Sequence, residues 1–223
     1  MSTPAPGPAH TPAQGQEQPA WFQTFVAAIA SVQGSQLSQF TQPTGMGLRH
    51  SAVLILFAEG PDGPDVLLIQ RAAQMRSHAG QPAFPGGAVD PQDDGPVAAA
   101  LREAQEETGL DPAGVQVAHV LPDLWLPPTG FVVTPVVGFW PSPVPVWAVD
   151  PAEVARAERV PVASLVDPGN RVTVVHPSGY RGPGFEVAGM LVWGFTAGLL
   201  DRLLDLAGWA QPWSVQREVG VSL

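Results

Sequence analysis

Glu103, Glu106 and Glu107 stand at i, i+3 and i+4. On a helix that spacing puts all three carboxylates on one face, with Cβ atoms about 5–6 Å apart. Uncompensated, they repel one another, and a divalent cation is the simple remedy. The chain has no cysteine, and no histidine falls within a helical turn of the glutamates, so the donors are hard oxygens only. Such a set suits Mg²⁺ or Mn²⁺ rather than zinc. These ions neutralise charge on phosphoryl oxygens and lower the pKa of a bound water, which is the chemistry of phosphoanhydride hydrolysis. Arg102, just before the first glutamate, could orient the cluster by charge-assisted hydrogen bonds. The same Arg-Glu-x-x-Glu-Glu run also occurs on ordinary solvated helices. The upstream pair Gly86-Gly87 favours a ligand site, because two glycines let backbone groups approach a ligand or metal closely.

The element that must carry the glutamates is a helix preceded by a glycine loop and an acidic turn, within Phe84–Leu110. Pro96 suits the first helical position, Asp94 or Gly95 can cap it, and Asp93-Asp94 complements the helix N-terminus. Val97, Ala100, Leu101 and Ala104 supply an apolar side, and Gly109 predicts a left-handed stop with Leu110 packing back. Upstream, Met1–Pro19 is Pro/Ala/Gly/Gln-rich and reads as a disordered tail, leaving 20–223 as a single domain. Trp21–Val32 has helical apolar spacing, whereas Ser51–Ala58 is a continuous apolar run expected as a buried strand. A Gly/Pro turn links it to a strand over Asp65–Arg71. Further strands are predicted over Val115–Leu121 and Phe131–Trp140, joined through a turn at Pro127–Gly130. Asp150 caps an expected short helix over Pro151–Ala157, and Pro161–Val166 reads as a short helix or strand. Arg171–His176 and Phe185–Leu191 read as a hairpin, and Thr196–Ala207 as an amphipathic helix. This order predicts an α+β domain, a mixed sheet sandwiched by helices.

Charge and composition narrow the partners. A formal net charge of −10 argues against nonspecific nucleic-acid binding, which rests on phosphate neutralisation. All ten basic residues are arginine, so contacts to substrate phosphate must use arginine, backbone N–H or metal. No apolar run reaches the roughly 20 residues of a membrane span, and the N-terminus has no basic start before an apolar core. A cytoplasmic protein with a small-molecule substrate is expected, as monomer or homodimer, without nucleic-acid or membrane partners.

The stretch GGAVDPQDDGPVAAALREAQEETGL resembles the Nudix box, and residues 102–110 match it position for position, with alanine at the apolar slot. The usual upstream glutamate is replaced by Asp93 or Asp94, and the spacing from Gly87 to Arg102 is one residue longer. The segment LIQRAAQMRSHAGQPAFPGG, Leu68–Gly87, resembles the one that coenzyme A pyrophosphatases of the Nudix superfamily carry ahead of the box, and the longer spacing is typical of that group. Trp147 through Glu153-Val154 and Trp193–Ala197 look like that group's downstream segments.

The resemblance implies a Nudix-type α/β/α sandwich with a mixed central sheet. It implies Mg²⁺- or Mn²⁺-dependent hydrolysis of coenzyme A or its thioesters to 3′,5′-ADP and a 4′-phosphopantetheine product. Glu103, Glu106 and Glu107 would ligate metal, with the Gly86 carbonyl a further candidate, and Arg102 would orient them. The base would be a glutamate of the helix, with Glu106 the candidate there, or one outside it, Glu153 in preference to Glu158. Arg71, Arg76, Phe84, Gly86 and Gly87 would bind substrate, the arginines as a phosphate clamp. His78 is as readily a solvated loop residue, and Phe84 or Trp125 could stack on adenine or pack in the core. Competing readings are a Nudix hydrolase of ADP-ribose or NADH, and a catalytically silent Nudix module that binds a nucleotide.

Overall fold

The computed structural model describes residues 17–41, 48–75, 78–127 and 129–221. Arg76 and nearly all of the expected Met1–Pro19 tail lie outside them. In chain order the elements are α1 (Ala20–Ile29), α2 (Gly34–Leu37), β1 (Arg49–Gly60), β2 (Gly63–Arg71), β3 (Pro82–Ala83), β4 (Gly86–Ala88) and α3 (Gly95–Thr108). There follow β5 (Gln116–Val120), β6 (Leu124–Leu126), β7 (Phe131–Trp140), β8 (Val154–Pro161), α4 (Val162–Val166), β9 (Arg171–Val175), β10 (Arg181–Val187), β11 (Met190–Val192), α5 (Gly194–Leu206) and β12 (Glu218–Gly220).

The apolar run of β1 is continuous because the strand is covered on both sides. Ala52, Leu54, Leu56 and Ala58 pack with Ala99, Ala100 and Ala104 of α3. The alternate residues Ile55 and Phe57 join Phe22, Phe25 and Ile29 of α1 and Leu199, Leu200 and Leu203 of α5. Period-two alternation thus sorts one strand between two helical layers, giving an α/β/α sandwich. Each large side chain so buried contributes about 1.5–3 kcal/mol. The small alanines let α3 lie close to the sheet.

Among the described residues the central sheet runs β3-β2-β1-β7-β5, with β4 pairing β1, β6 pairing β7 and β8 pairing β2. It is mixed: β1 runs parallel to β7 and antiparallel to β2. A smaller sheet has the order β11-β10-β9-β12.

Several expectations change. Pro151–Ala157 is not a helix: the Asp150 carboxylate accepts from Ala152 N–H at 2.8 Å and its carbonyl accepts from Val154 N–H at 2.9 Å, closing one turn only. From Val154 onward the chain pairs with β2, and burying Val154 and Val160 on that ladder outweighs the local helix start. The turn near Pro127–Gly130 joins β6, not β5, to β7. Asp94 precedes α3 without a side-chain cap hydrogen bond, whereas Gly109 ends the helix at φ 70° as its position predicts.

Candidate active site at the glycine pair and the third helix

Glu107 lies in the last turn of α3, on the side that faces β4, and its side chain is only 7% exposed. Gly86 N–H donates to its Oε2 at 2.9 Å, and an Arg71 Nη1 lies 3.9 Å from its Oε1. Burial pushes the Glu107 carboxyl up to about 8, against the lowering effects of the Gly86 hydrogen bond and the Arg71 charge. The charges of Glu103 and Glu153 push in the same direction as burial. Burial likewise raises Glu103 above the ordinary carboxylate range, although Arg102 hydrogen-bonds to it.

The two glycines are required by close approach. A Cβ on Gly86 would stand 2.3 Å from the Ala52 carbonyl oxygen, and one on Gly87 would stand 2.3 Å from the Glu103 carboxylate. The glycine pair therefore fits between β1 and the glutamate face with backbone alone: a side chain at 86 would strike β1, and one at 87 would displace the Glu103 carboxylate.

Arg102 ties the cluster together. It donates to Asp93 Oδ1 at 3.0 Å and Oδ2 at 2.9 Å, to Glu103 Oε1 at 3.0 Å, to Glu106 Oε2 at 3.2 Å and to the Ala88 carbonyl at 3.1 Å. Asp93, not Asp94, is thus the acidic partner of this arginine, and the arginine holds its carboxyl below the usual range. The extra residue in the spacing is absorbed in the turn before α3. Glu106 is the most open of the three, with its side chain 59% exposed.

Glu153, in the turn before β8, is exposed; its carbonyl accepts from Ala72 N–H at 2.8 Å, next to Arg71. Its charge is felt at Glu107. Glu158 lies farther along β8, opposite Leu68, with its carboxylate 3.7 Å from Arg156. The structure therefore brings Arg71, Gly86, Gly87, Arg102, Glu103, Glu106, Glu107 and Glu153 to one end of the sheet, with Glu158 away from them. The link between Arg71 and Glu153 comes from the β2–β8 ladder, which reading Pro151–Ala157 as helix concealed.

Phe84 requires correction. It is 2% exposed and sits in the core shared with α1 and α5, so its ring offers no face to a substrate. Trp125 is half-buried, and its indole N–H is buried without a partner. His78 pairs with the Gln81 side chain at 2.9 Å.

The donor chemistry fits a hard divalent cation. Glu103 fills space that only a glycine at position 87 leaves open, and Glu107 is a buried carboxyl group whose ion-pair partner among the described residues, Arg71, stands 3.9 Å away. Among the described residues no three such groups yet converge on one point. Glu106, drawn onto Arg102, stands apart.

A NUDIX domain family model matches residues 48–176, a span holding the sheet core, the glycine pair and the glutamate helix. The chain belongs to the Nudix family. An uncharacterized Nudix hydrolase, NudL, from Salmonella newport (strain SL254) is 43% identical over 172 residues, covering 74% of this chain and 85% of the relative. The NudL of Salmonella enteritidis PT4 (strain P125109) gives the same figures. Among solved structures, the Nudix hydrolase RenU from M. smegmatis aligns with a TM-score of 0.53 at 22% identity, covering 76% of this chain and 92% of that one. A Nudix hydrolase from Nitrosomonas europaea aligns at 0.50 and 12% identity, covering 82% and 85%. These structures share the Nudix fold. Nudix hydrolases act on small phosphoanhydrides and generally depend on a divalent metal. Among the described residues no helix is long and apolar enough to cross a membrane.

Proposed function

We propose that this Nudix hydrolase is a coenzyme A pyrophosphatase, cutting the diphosphate into 3′,5′-ADP and 4′-phosphopantetheine, or its acyl derivative for a thioester. The observation that carries this reading is Arg71. Its sequence context, Leu68–Gly87, resembles that of the coenzyme A group, and its guanidinium, 25% exposed, lies at the mouth of the glutamate site 3.9 Å from Glu107. A substrate phosphate would accept from the part of this guanidinium that stays exposed.

Glu103 and Glu107 would hold a divalent cation, with Glu106 joining them on leaving Arg102; Mg²⁺ or Mn²⁺ there would supply charge neutralisation at the phosphoryl oxygens. Gly86 N–H fixes one oxygen of Glu107 and leaves the other facing Arg71. Arg102 holds the carboxylates of Glu103 and Glu106 apart from Asp93 and limits their repulsion. Glu153, exposed and free to reach solvent, would take the proton of the attacking water as its oxygen bonds to phosphorus and the bridging P–O bond breaks. Arg71, joined by Arg76 from the following loop, would hold phosphate and keep the diphosphate in line.

The test is turnover of coenzyme A, 3′-dephospho-coenzyme A, ADP-ribose and NADH with Mg²⁺ or Mn²⁺. The reading predicts the highest kcat/KM for coenzyme A. Equal values with and without the 3′-phosphate would remove the case for a 3′-phosphate clamp, preference for ADP-ribose or NADH would reassign the substrate, and no turnover of any diphosphate would favour a binding module.

A further inference from the structure

The ladder between β2 and β8 is irregular at one place: Gln70 faces Arg156, but Arg71 faces Val154, so Ala155 is the extra residue of a bulge. Bulges re-aim side chains, and this one separates two residues with different duties. Arg71 reaches Glu107. Gln70 accepts from Arg156 Nε at 2.9 Å and donates from its own Nε2 to the Gly80 carbonyl at 3.1 Å. Gly80 and Gln81 belong to the limb that returns from the loop to β3 and then to the glycine pair. That limb is also held by backbone bonds, Arg71 N–H to the Gln81 carbonyl at 3.0 Å and Gly80 N–H to the Ala72 carbonyl at 3.4 Å. The Arg156 guanidinium is itself fixed from outside. Its Nη1 lies 3.7 Å from Glu158 Oε1, and the β10–β11 turn passes it at Gly189, where a Cβ would stand 3.7 Å from Nη2.

We propose that Gln70 and Arg156 are positioning residues for the substrate site. Arg156 orients the Gln70 amide, and that amide anchors the Gly80 limb, fixing the approach to Gly86-Gly87 and the register of Arg71. Neither side chain touches the reacting groups. Their effect falls on substrate affinity rather than on the bond-breaking step, so KM rises when the anchor is cut while kcat stays close to wild type. This assignment rests on the reading of the Arg71–Gly87 segment as the substrate-binding side.

Two substitutions separate the links. Gln70→Glu keeps an acceptor for Arg156 and loses the donor to Gly80; Arg156→Lys keeps the charge and loses the planar Nε donor. The experiment measures steady-state kinetics of both full-length variants on whichever of coenzyme A, 3′-dephospho-coenzyme A, ADP-ribose and NADH the wild type cleaves best. It also measures amide hydrogen exchange at Arg71, Gly80 and Gln81, with Val137 of the buried strand β7 as an internal reference. Gln70→Glu is expected to raise KM roughly fivefold, the scale of one neutral hydrogen bond, to leave kcat within about twofold, and to speed exchange at the three loop amides but not at Val137. Arg156→Lys should show the same pattern, more weakly. Unchanged KM, or loop amides exchanging at the wild-type rate in Gln70→Glu, would overturn the anchor. A wild type that leaves coenzyme A intact would overturn the substrate reading alone, because the exchange rates still decide the anchor.

Discussion

Arg71 and Arg171 carry the same defect, a buried Nε without a hydrogen-bond partner, in very different settings. Arg171 opens β9 and is 1% exposed. Its guanidinium lies 4.2 Å from the centroid of Phe185 and 4.5 Å from that of Trp213, and it pairs with Asp201 of α5. Aromatic faces close over the charge, and one carboxylate balances it. Arg71 is 25% exposed and, among the described residues, has no ring over it and meets a carboxylate only at 3.9 Å. Around it lie three carboxyl groups, Glu103, Glu107 and Glu153; burial raises Glu107 most, and the charges of Glu103 and Glu153 add to it. Arg171 is enclosed by its partners within the fold, whereas Arg71 is left partly open beside the glutamates. That contrast separates a structural cluster from a functional one more sharply than burial does.

The contrast can be broken from either side. The largest effect is expected at Glu107→Gln, which keeps an acceptor for Gly86 N–H but removes a charge: kcat should fall about 10²–10³-fold, the scale for one preorganised electrostatic group. A near-wild-type rate in steady-state assays would remove Glu107 from the metal set. Arg171→Ala should instead lower stability, by about 3 kcal/mol in denaturant unfolding, since it strips Asp201 of its partner and opens the Phe185–Trp213 sandwich. Arg71→Ala should change unfolding by less than about 1 kcal/mol, because a 3.9 Å pair at the rim contributes little. Its effect should appear as a KM for coenzyme A raised about tenfold. If the two arginine variants behaved alike in both assays, the distinction between them would fail.

A further effect follows from titration. In the metal-free fold Glu107 holds its proton up to about 8, whereas the unfolded chain releases it near the ordinary 4.5. Ionisation therefore opposes folding: the metal-free protein loses stability as pH rises from about 4.5 to about 8, and Glu107→Gln should remove the Glu107 share of that loss, leaving the part due to the raised Glu103. Since a cation must displace this proton, Mn²⁺ affinity by calorimetry should climb with pH and level off above about 8. In Arg71→Ala the plateau should move to higher pH, because the Arg71 charge lowers Glu107. A flat affinity profile from pH 6 to pH 9 would take Glu107 out of the binding step.

What could be read in advance followed the strength of local signals. Helix α3 was legible because Pro96, the apolar side and Gly109 agree with one another. Strand β1 was legible because burial on two faces leaves a continuous apolar run. The glutamate spacing placed the carboxylates on one face, but only the fold distinguishes the buried Glu107 from the open Glu106. Phe84 looked available because of its neighbours in sequence, yet the chain turns its ring into the core just before the glycines emerge. Strand β8 was hidden by Asp150 and Pro151, a strong local helix start that a partner strand overrides. Strands β3, β4, β11 and β12 have two or three residues each, too few to show a period. Glu153 was proposed by family likeness; its closeness to Glu107 follows from the β2–β8 register, which is a long-range pairing.

The most direct test of the central claim is the identity of the products formed from coenzyme A by the full-length chain. The account predicts equal amounts of 3′,5′-ADP and 4′-phosphopantetheine with Mg²⁺ or Mn²⁺, and neither with EDTA. Intact coenzyme A under conditions where ADP-ribose or NADH is cleaved, or the same products in excess EDTA, would contradict it.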